Sequence, residues 1–157
     1  MKILMVCLGN ICRSPLAEGI MRSKIEKYNL QAEVDSAGFE PFHTGDAPDY
    51  RAIKVAKSHG IDISGIRSRL FRKSDFESFE RIYVMDSGNY NDVLTVSGNN
   101  AQMLKVDYIL NSTYPGTNKA VPDPYYGGEE GFETAYQLLD KATEQIALEL
   151  QTKKSEI

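Results

Sequence analysis

The chain has 157 residues, enough for one domain with a real core, and its 41% hydrophobic content is that of an ordinary soluble globule. The formal net charge is -4, so no basic excess exists to neutralise a nucleic-acid backbone, and nucleic acid is not expected as a partner. No run approaches the roughly 20 apolar residues that span a bilayer, the amino terminus lacks a leader's apolar segment, and two cysteines are too few for a disulfide framework or a structural zinc site; membrane insertion is not expected, and the cytoplasm is the expected compartment.

In chain order, Lys2 to Val6 reads as a buried strand. Ser14 is placed to cap the helix that follows, with Pro15 at its first position, where a missing N–H costs nothing. Leu16, Ile20, Met21 and Ile25 then recur at helical spacing. Glu33 to Gly38 reads as a second short strand entering a loop, and Pro41 to Pro48 as irregular chain. Asp49 to His59 predicts a helix with Ala52, Ile53, Val55 and Ala56 turned inward and Gly60 as its carboxyl cap. Arg81 to Asp86 and Val106 to Leu110 predict two more strands. Phe132, Ala135, Tyr136, Leu139, Ile146 and Leu150 form the apolar face of a long final helix, and the polar tail from Lys153 is expected to fray. Strands alternating with helices predict an α/β sandwich around a mostly parallel sheet, in one domain covering residues 1–157.

In such sheets ligands bind at the carboxyl ends of the strands. The segment there, Cys7-Leu8-Gly9-Asn10-Ile11-Cys12-Arg13-Ser14-Pro15, is the most informative in the chain. A cysteine and an arginine bracket five residues at a strand-to-helix turn, where successive backbone N–H groups can face an anion. Gly9 and Asn10 tolerate the left-handed backbone that turns those groups inward. Arg13 adds a planar, permanently charged fork matched to phosphate oxygens, and the same donors favour a thiolate at Cys7. On spacing alone a buried, inert cysteine at a strand end explains Cys7 as well; the strand before it and the helix after it favour chemistry on a phosphate ester. A second candidate group is Asp123, in the Pro- and Gly-punctuated run Val121 to Gly128. Its carboxyl group is a candidate to protonate a leaving oxygen and then activate water, although an Asp before Pro also starts ordinary turns.

Taken together, the loop Cys7 to Pro15 with Leu16-Ala17-Glu18, the segment Asp35-Ser36-Ala37-Gly38, the pair Met85-Asp86, and Asp123-Pro124-Tyr125-Tyr126 resemble the low-molecular-weight protein tyrosine phosphatases over nearly the whole chain. The resemblance implies a flavodoxin-like three-layer sandwich with a four-stranded parallel sheet. It implies hydrolysis of phosphotyrosine in proteins through a phosphocysteine, with Cys7 as nucleophile, Arg13 binding the phosphoryl oxygens and Asp123 as general acid and then base. Asn10 would hold the loop in its strained shape, Ser14 would hydrogen-bond the Cys7 sulfur, and Ser36 would support Asn10. No metal or other cofactor is required, because backbone dipoles and Arg13 neutralise the phosphoryl charge. Phosphate and other oxyanions are expected as product or inhibitors.

Leu8, Ile11, Phe42, Tyr125 and Tyr126 are expected to line a slot with aromatic walls, with Phe39 a nearby alternative to Phe42. Family members acting on phosphoarginine carry a smaller, polar residue at the Ile11 position, so Ile11 favours phosphotyrosine. Members also often carry a histidine that braces the phosphate loop, at the position of Ile66 here. Members with a second cysteine at the position of Cys12 are reversibly inactivated by oxidants, which makes redox sensitivity an expectation. The competing readings are a protein arginine phosphatase, an arsenate reductase of the same fold, and a silent phosphopeptide-binding module. Arsenate reduction calls for resolving cysteines beyond Cys7 and Cys12, and a silent module for loss of Cys7, Arg13 or Asp123. A dinucleotide-binding domain would need G-x-G-x-x-G in the first turn, which holds Gly9 alone.

Overall fold

A computed structural model describes residues 1–155. Its elements in chain order are β1 (Lys2–Val6), α1 (Arg13–Lys27), β2 (Glu33–Ala37), α2 (Tyr50–Ser58), α3 (Asp75–Ser78), β3 (Arg81–Val84), α4 (Ser87–Val96), α5 (Asn100–Met103), β4 (Val106–Tyr108) and α6 (Gly128–Ser155). Among the described residues the strands form one four-stranded sheet in the order β2-β1-β3-β4, and each pairing is parallel. This is the flavodoxin-like arrangement. The chain leaves β1 for β2 on one side and returns to β3 on the other, so a crevice opens beyond the carboxyl ends of β1 and β3.

The two central strands, β1 and β3, are buried on both faces because they are apolar at successive positions rather than at alternate ones. Ile3 and Met5 of β1 and Tyr83 of β3 face a core built with Leu16, Ile20 and Met21 of α1 and Phe132, Leu139 and Ile146 of α6. Leu4 and Val6 of β1, and Ile82 and Val84 of β3, face the opposite layer, where Phe76 and Val93 cover them. The register Leu4↔Ile82, Met5↔Tyr83 and Val6↔Val84 keeps each pair on one face.

The expected apolar stripe of α6 is buried at all six named positions. Four expectations need correction. First, α1 starts at Arg13, and its N-cap Cys12 makes no side-chain cap bond. Ser14 lies inside the helix and Pro15 is its third residue, because the Ser14 hydroxyl is held by Cys7 and Asn10. Second, β3 ends at Val84, and Asp86 caps α4, its carboxylate accepting from the Asn89 N–H at 2.8 Å. Third, β4 covers Val106 to Tyr108, and Ile109–Ser112 is a 3₁₀ turn. Fourth, the helix runs through Lys153 to Ser155, where fraying was expected; the rest of that tail lies outside the described residues. No helix among the described residues is long and apolar enough to cross a membrane.

Candidate active site

The loop between β1 and α1 sits at the crevice, and its shape is fixed from below and from both sides. Asn10 is in the left-handed region at φ 54, a conformation Asn adopts more readily than most residues. Gly9 is not; a Cβ there would come within 2.9 Å of a carboxylate oxygen at the movable end of the Glu40 side chain. Asn10 Nδ2 donates to Ser14 Oγ at 2.7 Å, and Asn10 Oδ1 accepts from the Arg69 N–H at 3.1 Å. Ser68 Oγ donates to the Gly9 carbonyl at 3.2 Å, while the Asp49 N–H donates to the Ile11 carbonyl at 2.7 Å. Gly38 lies directly beneath: a Cβ at that position would meet Asn10 N and Leu8 O at 2.9 Å each.

Ser36 is not the support of Asn10. Its hydroxyl donates to Glu18 Oε1 at 2.6 Å, a buried carboxylate also bound by Arg22. Asn10 is held instead by Ser14 and by the Arg69 N–H, while the Ser68 hydroxyl holds the neighbouring Gly9 carbonyl. Ile66 packs partly buried against the α1–α6 core, so the polar support of the loop comes from Ser68 and Arg69, two and three residues further on.

Cys7 is 3% exposed at the floor of the loop. Ser14 Oγ lies 3.0 Å from its sulfur, and the Ser14 N–H donates to the same sulfur at 3.4 Å. The Cys7 sulfur thus lies against the first turn of α1, within reach of both the backbone N–H and the hydroxyl of Ser14. Cys12 differs. Burial pushes its thiol pKa far above the ordinary value, and the neighbouring charges of Asp49, Cys7 and Asp123 push it the same way.

Arg13 is buried, and its guanidinium reaches two distant segments. Nη1 donates to Asp86 Oδ2 at 2.7 Å and to the Val121 carbonyl at 2.9 Å; Nη2 lies 3.8 Å from Asp123 Oδ2. The Val121 N–H donates to the Met85 carbonyl at 2.8 Å, so the stretch leading to Asp123 extends from the end of β3. Asp123 itself caps a short 3₁₀ turn, its Oδ1 accepting from the Tyr125 N–H at 3.0 Å. Its other oxygen faces Arg13, and the side chain is 38% exposed.

Cys7, Leu8, Gly9, Ile11, Cys12, Arg13, Phe42, Asp123, Tyr125 and Tyr126 line one cleft of about 240 Å³. Asn10 is buried beneath it and acts on the loop's shape. Phe42 rather than Phe39 forms the wall: Phe42 is 72% exposed at the rim, whereas the Phe39 ring packs, tilted, 5.5 Å from Phe71 in the other core layer. Glu40 and His43 also line the cleft, with His43 Nδ1 3.1 Å from Asp46 Oδ2. Sequence reasoning missed both, along with Ser68 and Asp49, and it marked Asp86 without its partner Arg13, because their contribution depends on chain segments remote in sequence.

A model of the family described as low molecular weight phosphotyrosine protein phosphatase matches residues 2–156. A putative low molecular weight protein-tyrosine-phosphatase of Synechocystis is 44% identical over 144 residues, covering 90% of this chain and 91% of that protein. Among solved structures, a protein tyrosine phosphatase of Entamoeba histolytica superposes with a TM-score of 0.90 at 39% identity, covering 98% of this chain and 99% of that one. A Drosophila arginine phosphatase superposes with a TM-score of 0.86 at 31% identity, covering 95% and 97%.

Proposed function

Because the chain belongs to the low molecular weight phosphotyrosine protein phosphatase family, we propose that it hydrolyses phosphotyrosine in proteins through a phosphocysteine on Cys7. The observation that carries this reading is the convergence of three groups on one cleft: the Cys7 sulfur on the floor, the Arg13 fork beside it, and Asp123 on the wall.

The Cys7 thiolate attacks phosphorus as the phosphorus–phenol oxygen bond breaks. Arg13 and the loop N–H groups take up the charge on the three equatorial oxygens. Asp123, protonated at this stage, gives its proton to the departing phenolate. In the second step the same carboxylate removes a proton from water, which attacks phosphorus. The sulfur–phosphorus bond breaks, phosphate leaves and the thiolate is restored. Asp86 serves by aiming Arg13: its carboxylate and the Val121 carbonyl both hold Nη1, which leaves Nη2 on the side of Asp123 and the cleft.

The narrow cleft walled by Phe42, Tyr125 and Tyr126 and floored beside Ile11 suits a flat phenyl ring on a phosphate. The likeness to an arginine phosphatase keeps phosphoarginine as the second reading. Paired assays with phosphotyrosine and phosphoarginine peptides, with Cys7→Ser as control, decide between them. A higher kcat/KM on phosphotyrosine supports the proposal; a higher value on phosphoarginine overturns it.

Redox control belongs to the same reading. Peroxide would convert the Cys7 thiolate to a sulfenic acid with release of hydroxide, and the Cys12 thiol would condense with it to give a disulfide and water. A dithiol would then return both cysteines to their reduced forms.

A further inference from the structure

The geometry points to Arg51, a residue outside the catalytic cleft, as the positioning residue that holds the general-acid loop in register with the phosphate loop. This rests on the assignment of Asp123 as general acid. Arg51 is in the first turn of α2, and Asp49 is that helix's N-cap. The Asp49 carboxylate accepts from the Arg51 backbone N–H at 2.8 Å and from Nε and Nη2 at 3.1 Å each. Burial pushes the Asp49 carboxyl up, but the Arg51 hydrogen bonds outweigh it and hold the group below the ordinary carboxylate range. The fork is thus fixed in direction by a bidentate pair.

It points across to the segment carrying the acid. The guanidinium carbon lies 5.2 Å from the Tyr125 ring centroid and 4.7 Å from that of Phe132 at the start of α6. Both distances are within cation–π range. Tyr125 is the residue whose N–H holds Asp123 Oδ1. At the other end, Asp49 is tied by its own N–H to the Ile11 carbonyl of the phosphate loop. One continuous path therefore runs from the loop of the nucleophile, through Asp49 and Arg51, to Tyr125 and the acid. Arg51 does not line the cleft, so it acts through Tyr125.

A residue that positions a proton donor matters in proportion to how much the leaving group needs the proton. Arg51→Gln should lower kcat/KM on a phosphotyrosine peptide by roughly 5- to 30-fold, the span of a cation–π contact removed from a partly desolvated site. On 4-nitrophenyl phosphate, whose leaving group departs readily as the anion, the loss should stay within about 3-fold. Inhibition by inorganic phosphate should be unchanged, which reports an intact phosphate loop. The double variant Arg51→Gln/Tyr125→Leu should be no worse than Tyr125→Leu alone, because both changes cut one path. Arg51→Lys keeps the charge and loses the planar fork; it should recover part of the activity and also stands in if the Gln variant does not fold.

Equal losses on the two substrates, no loss on either, or additive losses in the double variant would overturn the assignment. Asp123→Asn in the same assay separates the two levels. If it discriminates between the substrates and Arg51→Gln does not, Arg51 has no positioning role. If Asp123→Asn does not discriminate, the acid assignment fails first.

Discussion

Gly38 offers the sharpest test of how the site is built, because the residue touches no substrate. Replacing it by Ala adds one methyl group beneath the phosphate loop. That carbon would lie 2.8 Å from Asn10 Cβ and 2.9 Å from both Asn10 N and Leu8 O. None of these atoms is the free end of a flexible side chain, and Leu8 O is also engaged by the Phe39 N–H at 2.7 Å. Ordinary contact needs about 0.5 Å more, and that is the tolerance within which a catalytic constellation has to be held. The loop must therefore rise off β2, carrying the Asn10 and Leu8 backbone with it. Overpacking of this kind costs about 1–3 kcal/mol of stability, and a misplacement approaching 1 Å costs about 10²-fold in rate. Gly38→Ala should thus lose at least about 10-fold in kcat/KM on a phosphotyrosine peptide and weaken inhibition by inorganic phosphate in parallel, since phosphate reads the loop's shape directly. Urea unfolding measured alongside separates a displaced loop from a lost fold. A folded Gly38→Ala enzyme with wild-type kcat/KM and phosphate affinity would refute the claim that this contact sets the loop.

Cys7→Ser should abolish turnover, and Asp123→Ala should slow phosphotyrosine hydrolysis by roughly 10²–10⁴-fold while retaining phosphate binding, as steady-state kinetics with phosphate inhibition will show. Ile11→Thr should narrow the preference for phosphotyrosine over phosphoarginine by about 10-fold, read as the ratio of the two kcat/KM values, because an apolar contact to the ring is worth about 1–3 kcal/mol. After peroxide and then a dithiol, wild type should recover most of its activity and Cys12→Ser much less; equal recovery would make Cys12 a packing residue. The Asp49 carboxyl is held below its ordinary range, so its pair with Arg51 adds stability above the unfolded carboxylate pKa and loses it as pH falls through the lower, folded value. Urea unfolding should accordingly show Asp49→Asn less stable than wild type at neutral pH and the gap closing in acid.

What the sequence settled by itself lies within a few turns or one loop. The apolar run Ile3 to Val6 marks a strand buried on both faces, and six residues at helical spacing mark the inner face of α6. Cys7, Arg13 and the strand-to-helix turn between them lie in one uninterrupted segment, so spacing alone exposes the anion cradle. Helix α4 escaped because Ser87-Gly88-Asn89 is a poor helix opening by propensity, and its start depends on the capping carboxylate of Asp86. The contacts that aim and brace this segment had no local trace. Arg13 is aimed by Asp86, 73 positions away, and by the Val121 carbonyl, 108 away. Asn10 and Gly9 are braced from 59 positions away by Arg69 and Ser68, and Ser36 turns to Glu18 instead. These partners meet because parallel pairing of β1 with β3 sets Val6 beside Val84, so the loops that follow both strands leave the sheet at the same edge. Periodicity and propensity act over one or two turns of chain. The order and register of strands are decided by which apolar faces can be buried together, and that choice alone brings Asp86, Val121 and Asp123 to the arginine.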